Sequence, residues 1–338
     1  MFYVGIDVHQ WVSMVCVLDE YGRKVMQFTV RGPWPKLIET LERVPRPFAV
    51  CFEASTGYGF LYEALSRVAA RVVVAHPGQL RLIFRSKRKN DRVDAEKLAK
   101  LLFLDEVPPV YVPQVDVREW RAAISLRERL VSTRSATKNR LRGLLRTHGI
   151  QAPAGLWSQR GQRWLQALSW PSDQAALRCE LLTEELASQN ARIKRLEAHL
   201  ARIAARHPGV ALLRTIPGVG IRTAEAVVAW IDQPTRFAAN KCIGSYFGLV
   251  PCEDTSAGKE RLGHITQQGP ALVRKLLTEA AWQAIRRSPQ IRRAFERIQQ
   301  GDPKKRKKIA LIAIAHYLAR AMLAMLRSGQ PWKAALVG

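Results

Sequence analysis

Two carboxylates three residues apart, Asp91 and Asp94, lie in the run Lys87-Arg88-Lys89-Asn90-Asp91-Arg92-Val93-Asp94-Ala95. The spacing puts both on one face of a helix whose apolar pattern continues through Val93, Leu98, Leu101 and Leu102. Asn90 suits the N-cap, and acids suit a helix's first turn. Taken alone, the pair reads as a solvated helix start neutralised by its four basic neighbours. Two further acids alter that reading. Asp7 stands near the end of the apolar run Phe2–Val8, and Glu53 closes the run Phe48–Phe52. Four converging carboxylates without cations would repel one another strongly. They make chemical sense as holders of Mg²⁺, a hard ion that takes carboxylate and water oxygens. Two such ions about 4 Å apart clamp the attacking and leaving oxygens of a phosphodiester. The chemistry indicated is phosphoryl transfer.

The elements that must position these acids are legible as patterns. Phe2–Val8, Val12–Leu18 and Lys24–Val30 read as strands, with a turn at Asp19-Glu20-Tyr21-Gly22. Trp34–Arg43 and Phe60–Ala69 read as helices, Phe48–Phe52 and Arg71–Ala75 as buried strands, and Asp91–Leu104 as a closing helix. The order βββαβαβα predicts an α/β domain of ribonuclease-H-like type over residues 1–106, which would make Asp7 and Glu53 neighbours. Val107–Pro113, rich in proline, reads as a linker. Residues 107–207 then carry a linker, a basic helix and a coiled coil, and 208–338 form a mainly helical C-terminal domain.

Charge narrows the partner. The 338 residues carry a net charge of +26, with a pI near 10.6. Such a field favours a polyanion. Ile309–Leu326 is the best membrane candidate, but His316, Tyr317 and Arg320 mark it as a buried amphipathic helix. The N-terminus shows no basic segment of a signal peptide, so nucleic acid inside the cell is the expected partner. The five cysteines have no metal-binding spacing and read as reduced and packed. Val117–His148 reads as a long basic helix; between Val115 and Ile150 nine basic residues, among them Arg127, Arg134, Lys138 and Arg142, stand against three acids, and this stripe suggests phosphate contact.

Three further patterns occupy the second half. Cys179, Leu182, Leu186, Gln189, Ile193, Leu196, Leu200 and Ile203 make a heptad seam with one polar position. Self-association and an intramolecular hairpin with the basic helix both account for it, the former slightly preferred. Pro217-Gly218-Val219-Gly220 resembles a helix-hairpin-helix turn, where Gly218 and Gly220 leave backbone N–H groups free for a phosphate. An ordinary helical corner is the plainer alternative. The run Lys304–Lys308 is a basic turn suited to phosphate.

Gly5-Ile6-Asp7-Val8-His9, Glu53-Ala54-Ser55-Thr56-Gly57 and Lys89-Asn90-Asp91-Arg92-Val93-Asp94-Ala95 resemble the Asp-Glu-Asp-Asp transposases of the IS110 insertion-sequence family. Ile216–Gly220, Gly248-Leu249-Val250-Pro251, Ser256-Ala257-Gly258, Gly263-His264-Ile265-Thr266, Gly269 and Arg274–Leu277 are similar to the family's C-terminal domain. The resemblance implies a RuvC-like metal domain with Asp7, Glu53, Asp91 and Asp94 as Mg²⁺ ligands. It also implies a serine nucleophile that forms a phosphoserine link to DNA, by motif position Ser256. Thr255 and Ser245 remain alternatives, because the string here is Ser-Ala-Gly rather than Ser-Gly-Gly. The implied partners are donor and target DNA and an element-encoded bridge RNA. A dimer or tetramer is expected, and a cytoplasmic, nucleoid-associated bacterial location. Lys259, Arg261, His264, Arg88 and Lys89 lie where they would contact the scissile phosphate or guide DNA.

Two other classes stay open on the residues alone. A metal nuclease of junction-resolvase type would use the acids with water as nucleophile. A non-catalytic binding protein would keep the fold without needing the carboxylates. The actin-like kinase fold shares an initial Gly-x-Asp, but no later adenosine-binding glycine pattern follows.

Overall fold

The structure, a computed structural model, describes residues 1–83, 91–253 and 262–333. They form two compact units, Met1–Val115 and Asp116–Gly338.

The first unit begins with β1 (Phe2–Val8), β2 (Val12–Leu18) and β3 (Lys24–Arg31). These are antiparallel neighbours. α1 (Trp34–Leu41), β4 (Phe48–Glu53), α2 (Tyr58–Leu65), β5 (Arg71–Ala75), α3 (Pro77–Ile83) and α4 (Asp91–Phe103) follow. β4 pairs parallel with β1, and β5 parallel with β4. The sheet order is therefore β3-β2-β1-β4-β5. The short helix α3 was not expected from the sequence.

Strand alternation divides the sheet into two faces. Val4, Ile6, Phe48, Val50 and Phe52 form one core with Leu37, Leu41, Leu61 and Leu65 of α1 and α2. Ala49, Cys51, Val73 and Ala75 on the other face meet Leu98, Leu101 and Leu102 of α4. Cys16 and Leu18 meet Ala95 and Ala99 on that same face. In register, Gly5 lies between Cys16 of β2 and Cys51 of β4. That row of small residues makes room for α4. A Cβ at Gly5 would stand 2.1 Å from the Ala95 carbonyl oxygen and 2.3 Å from the Ala99 nitrogen.

The segment read as a linker behaves otherwise. The His76 N–H donates to Pro108, and Val110 donates to Val74. Val110 and Val112 pack against the first core. The proline-rich stretch thus lies along the open edge of β5, where a missing N–H is tolerated.

The second unit holds α5 (Val115–Thr147), α6 (Gln159–Gln166), α7 (Asp173–Ala205), α8 (Pro208–Leu213), α9 (Ile221–Ile231) and α10 (Cys242–Tyr246). A two-stranded ribbon, β6 (Pro251–Glu253) and β7 (Leu262–Ile265), precedes α11 (Ala271–Arg287), α12 (Pro289–Gln299) and α13 (Pro303–Ser328). One large core joins α8 to α13, and Trp120, Ile124, Leu200 and Ala204 of α5 and α7 share it, while Leu165 of α6 packs in a smaller core with other parts of α5 and α7. α13 is long and apolar enough by composition to cross a membrane. Its residues Ile314, Ala315, Leu318, Ala319, Met322 and Leu323 are instead buried in the large core.

The heptad seam is covered within the chain. Cys179, Leu182 and Leu186 pack with Leu141, Leu144 and Leu145 of α5. The Gln189 amide donates to the Thr137 hydroxyl at 3.1 Å and to Glu185 at 2.8 Å.

Candidate active site

β1 ends at one rim of the sheet, and a tight turn returns the chain to β2, the His9 N–H donating to the Val12 carbonyl. Asp7 shares the α4 face with Gly5. Because α4 rides directly over Gly5, its first residue, Asp91, arrives beside Asp7. His9 Nε2 lies 3.5 Å from Asp7 Oδ2 and 3.8 Å from Asp91 Oδ2. One ligand atom from each of the three lies within 4.8 Å of the others.

The other two acids occupy the same rim differently. Glu53 closes β4 one step beyond the Ile6–Phe52 pair, so it is the register neighbour of Asp7. Its side chain is exposed and stands outside the three-residue group. Asp94 sits about one turn along α4 and takes Lys97 Nζ at 3.3 Å.

α4 is tethered at its outer side. Glu96 accepts from Lys24 of β3 and from Lys100, each at 2.8 Å. Those two ammonium groups, Lys100 foremost, hold its carboxyl below the usual range. Gln27 donates to the Arg92 carbonyl at 3.0 Å. Beneath the helix, burial foremost, with Glu96 adding, pushes the Cys16 thiol up to about 11. Burial pushes Cys51 up to about 12. Both stay protonated near neutrality and are no thiolate ligands.

The donor set fits a divalent cation. Two carboxylate oxygens suit a hard ion such as Mg²⁺ or Mn²⁺, and an imidazole nitrogen broadens the choice toward transition metals. His9 was not singled out by the sequence reasoning. Its signal was the Asp-x-His spacing at a strand end, which places both side chains at one rim only when the next turn is tight.

Several expected residues lie outside the described residues: Arg88, Lys89, Thr255, Ser256, Lys259 and Arg261. The ribbon that carries the Ser256 segment is described at its root. Pro251 pairs with Ile265, and Thr266 donates to the Val250 carbonyl. Gly248 (φ +65°) and Gly269 (φ +69°) cross so closely that a Cβ would stand 2.3 Å from the Gln268 oxygen and 2.0 Å from that of Tyr246, respectively. Arg274 of α11 donates to the carbonyls of Phe247 at 3.0 Å and Gln268 at 2.7 Å. Ser245 and His264 are exposed.

The basic and glycine candidates divide. Arg127 is engaged by Glu197 at 2.9 and 2.7 Å. Arg134, Lys138 and Arg142 recur every four residues along α5. Lys138 and Arg142 lie over the Trp157 ring at 5.0 and 5.2 Å. Burial first, then Arg134 and Arg142, lowers the Lys138 ammonium below its ordinary value. Gly218 (φ +92°) abuts the α11 backbone, a Cβ there meeting Ala284 N at 2.5 Å. Packing therefore explains that glycine. Gly220 faces open space before α9.

A family model described as a DEDD transposase of IS110 type matches residues 4–150. A second, described as the transposase IS116/IS110/IS902 family, matches residues 210–296. The transposase for insertion sequence element IS1111A of Coxiella burnetii is 26% identical over 84% of this chain and 78% of its own length. A Pseudomonas aeruginosa protein named "Probable family 20 transposase" is 29% identical over 96% of each chain. The transposase for insertion sequence element IS1328 of Yersinia enterocolitica is 24% identical over 82% of each.

Proposed function

The chain belongs to the IS110 family of transposases, and from that premise we propose that it cuts and rejoins DNA through a serine-linked intermediate, addressed by an element-encoded bridge RNA. The observation that carries the reading is the meeting of Asp7 and Asp91 at one sheet rim, brought about by α4 packing over Gly5. The strand order, three antiparallel and two parallel, supports a ribonuclease-H-like, RuvC-like domain.

Asp7, Glu53, Asp91 and Asp94 would hold Mg²⁺, with His9 beside them. When bound there, the ion would supply positive charge to the phosphate and favour the alkoxide of the attacking hydroxyl. Ser256 Oγ attacks phosphorus and loses its proton to solvent. One P–O bond of the DNA breaks, and the leaving oxygen takes a proton as a free hydroxyl end. A hydroxyl end of another strand then attacks the phosphoserine, restoring a DNA phosphodiester and the serine hydroxyl. The bond energy is conserved, so no cofactor is consumed. Holding donor and target DNA together calls for a dimer or tetramer.

In the test, the wild-type protein with its RNA, Mg²⁺ and DNA yields a covalent protein–DNA adduct, seen as a slow band in denaturing gels. The Ser256→Ala variant binds DNA with unchanged affinity and yields none. An adduct from that variant would move the role to Thr255 or Ser245. Free cut ends with no adduct in the wild type would show water as the nucleophile, as in a junction-resolving nuclease.

A further inference from the structure

His9, which groups with the carboxylates, also borders an aromatic recess that the strand-transfer chemistry leaves unused. Its volume is about 620 Å³, in the range of small-ligand pockets. Trp11, Trp34 and Phe60 wall it, and Gln10, Ser55 and Thr56 supply its polar groups. Among the described residues, no Lys, Arg, Asp or Glu lines it.

The walls are held in place. The Trp34 indole N–H donates to the His9 carbonyl at 3.1 Å. Gly57 (φ +84°) lies under that ring, where a Cβ would stand 2.4 Å away. Phe60 stacks on Trp34 with centroids 6.0 Å apart and planes 23° apart. The Gly32 N–H donates to the Trp11 carbonyl, pinning the β1–β2 turn. Yet Trp11 is 61% exposed and Phe60 52%. Large aromatic faces held open to solvent and backed by a hydrogen-bonded frame are platforms for a flat ligand.

We propose that this recess receives one unstacked base of the DNA strand bound at Asp7 and Asp91, Trp11 and Phe60 stacking on its faces and Gln10, Ser55 and Thr56 meeting its edge. This rests on the transposase reading above. His9 supplies the link, since it belongs to the carboxylate group and also lines the recess. A lining without charged side chains suits a neutral π surface rather than a phosphate, and the surplus of positive charge elsewhere holds the backbone. Extruding a base next to the reacting phosphate also opens the duplex where strands are to be exchanged. The Ser55-Thr56-Gly57 string after Glu53 thus serves the base rather than the metal. Gly57 seats the tryptophan, and the hydroxyls face the base edge.

The test compares two ligands of equal length, an oligothymidylate and an oligomer of abasic residues, which keeps the phosphates and lacks the bases. The full-length protein is expected to prefer oligothymidylate. Trp11→Ala and Phe60→Ala, both at exposed positions, each lose roughly five- to hundredfold on oligothymidylate and little on the abasic oligomer. The salt dependence of binding stays unchanged, since no phosphate contact is removed. Equal losses on both ligands, or no loss, overturn the proposal. A larger loss on oligouridylate than on oligothymidylate assigns the recess to RNA and overturns the DNA assignment. Adduct formation is scored separately. An adduct without base-dependent binding sinks the recess alone, whereas base-dependent binding without an adduct sinks the serine chemistry alone.

Discussion

Glu225 shows how far a single residue can depart from its surroundings. It is 1% exposed within α9, and Arg222 donates to it at 2.9 Å. Burial, the largest influence, nevertheless raises its carboxyl above the ordinary value, outweighing the pull of Arg222. Desolvation thus exceeds what the ion pair returns. A carboxyl raised on folding contributes stability below its unfolded value, and that contribution is lost as pH rises through the folded value. Glu225→Gln keeps the hydrogen bond from Arg222 without the buried charge. Its thermal midpoint is expected to exceed the wild type's at pH 7, with the gap closing toward pH 4; a lower midpoint at pH 7 would show the charge to be stabilising. The sequence placed no weight on Glu225, because an Arg222–Glu225 pair three residues apart reads as an ordinary surface pair and only the fold shows it to be buried. Asp7 and Asp91 were legible by type and position. His9 was not, because its nearness to them depends on a turn whose hydrogen bond no spacing reveals. Glu53 was legible as a strand-end acid, and its register beside Asp7 follows from the parallel pairing.

Among elements, the β1–α4 packing decides whether a metal site exists at all. Gly5, Ala95 and Ala99 form the closest approach, and the atoms a Cβ would strike are backbone, which cannot swing aside. Gly5→Ala therefore pushes α4 outward and separates Asp91 from Asp7. The expected result is a stability loss of about 1–3 kcal/mol, as in other overpacked cores, together with loss of metal-dependent adduct formation. Retained activity with an unchanged melting temperature would show that α4 does not set the site. Strand and helix positions in this unit could be read from alternation and apolar runs, because burial on both faces leaves a strong pattern. The proline-rich stretch misled because proline content marks an edge strand as readily as a linker. The heptad left two coverings open, a second chain or the basic helix of this one. Its spacing is real, but a seam of that period is satisfied by any suitable helix, and α5 of the same chain supplies one, with Thr137 answering the lone polar position. Sequence periodicity names the face to be buried, not the molecule that buries it.

For the whole molecule, the net charge is unevenly shared. Met1–Val115 carries 16 Lys and Arg against 12 Asp and Glu, leaving 38 against 16 in Asp116–Gly338. The unit with the carboxylates is close to balanced, so the other is expected to carry most of the contacts to a polyanion. Within the basic unit, Arg134, Lys138 and Arg142 crowd one stripe of α5, and their mutual repulsion adds to burial in lowering Lys138. A phosphate placed there relieves the repulsion, so these side chains gain more from DNA than isolated surface lysines do. Binding is expected to weaken steeply with salt through counterion release. Replacing all three by Gln should weaken binding to every DNA sequence alike and reduce the slope of log K against log salt by about 3, roughly one per lost contact. The comparison is with Arg127→Gln, whose guanidinium is already taken by Glu197. That variant should lose stability while leaving the salt slope nearly unchanged. Titrations at several salt concentrations separate the two. If the triple variant keeps the wild-type slope, the stripe is a solvated face, and the phosphates are gripped elsewhere in the basic unit.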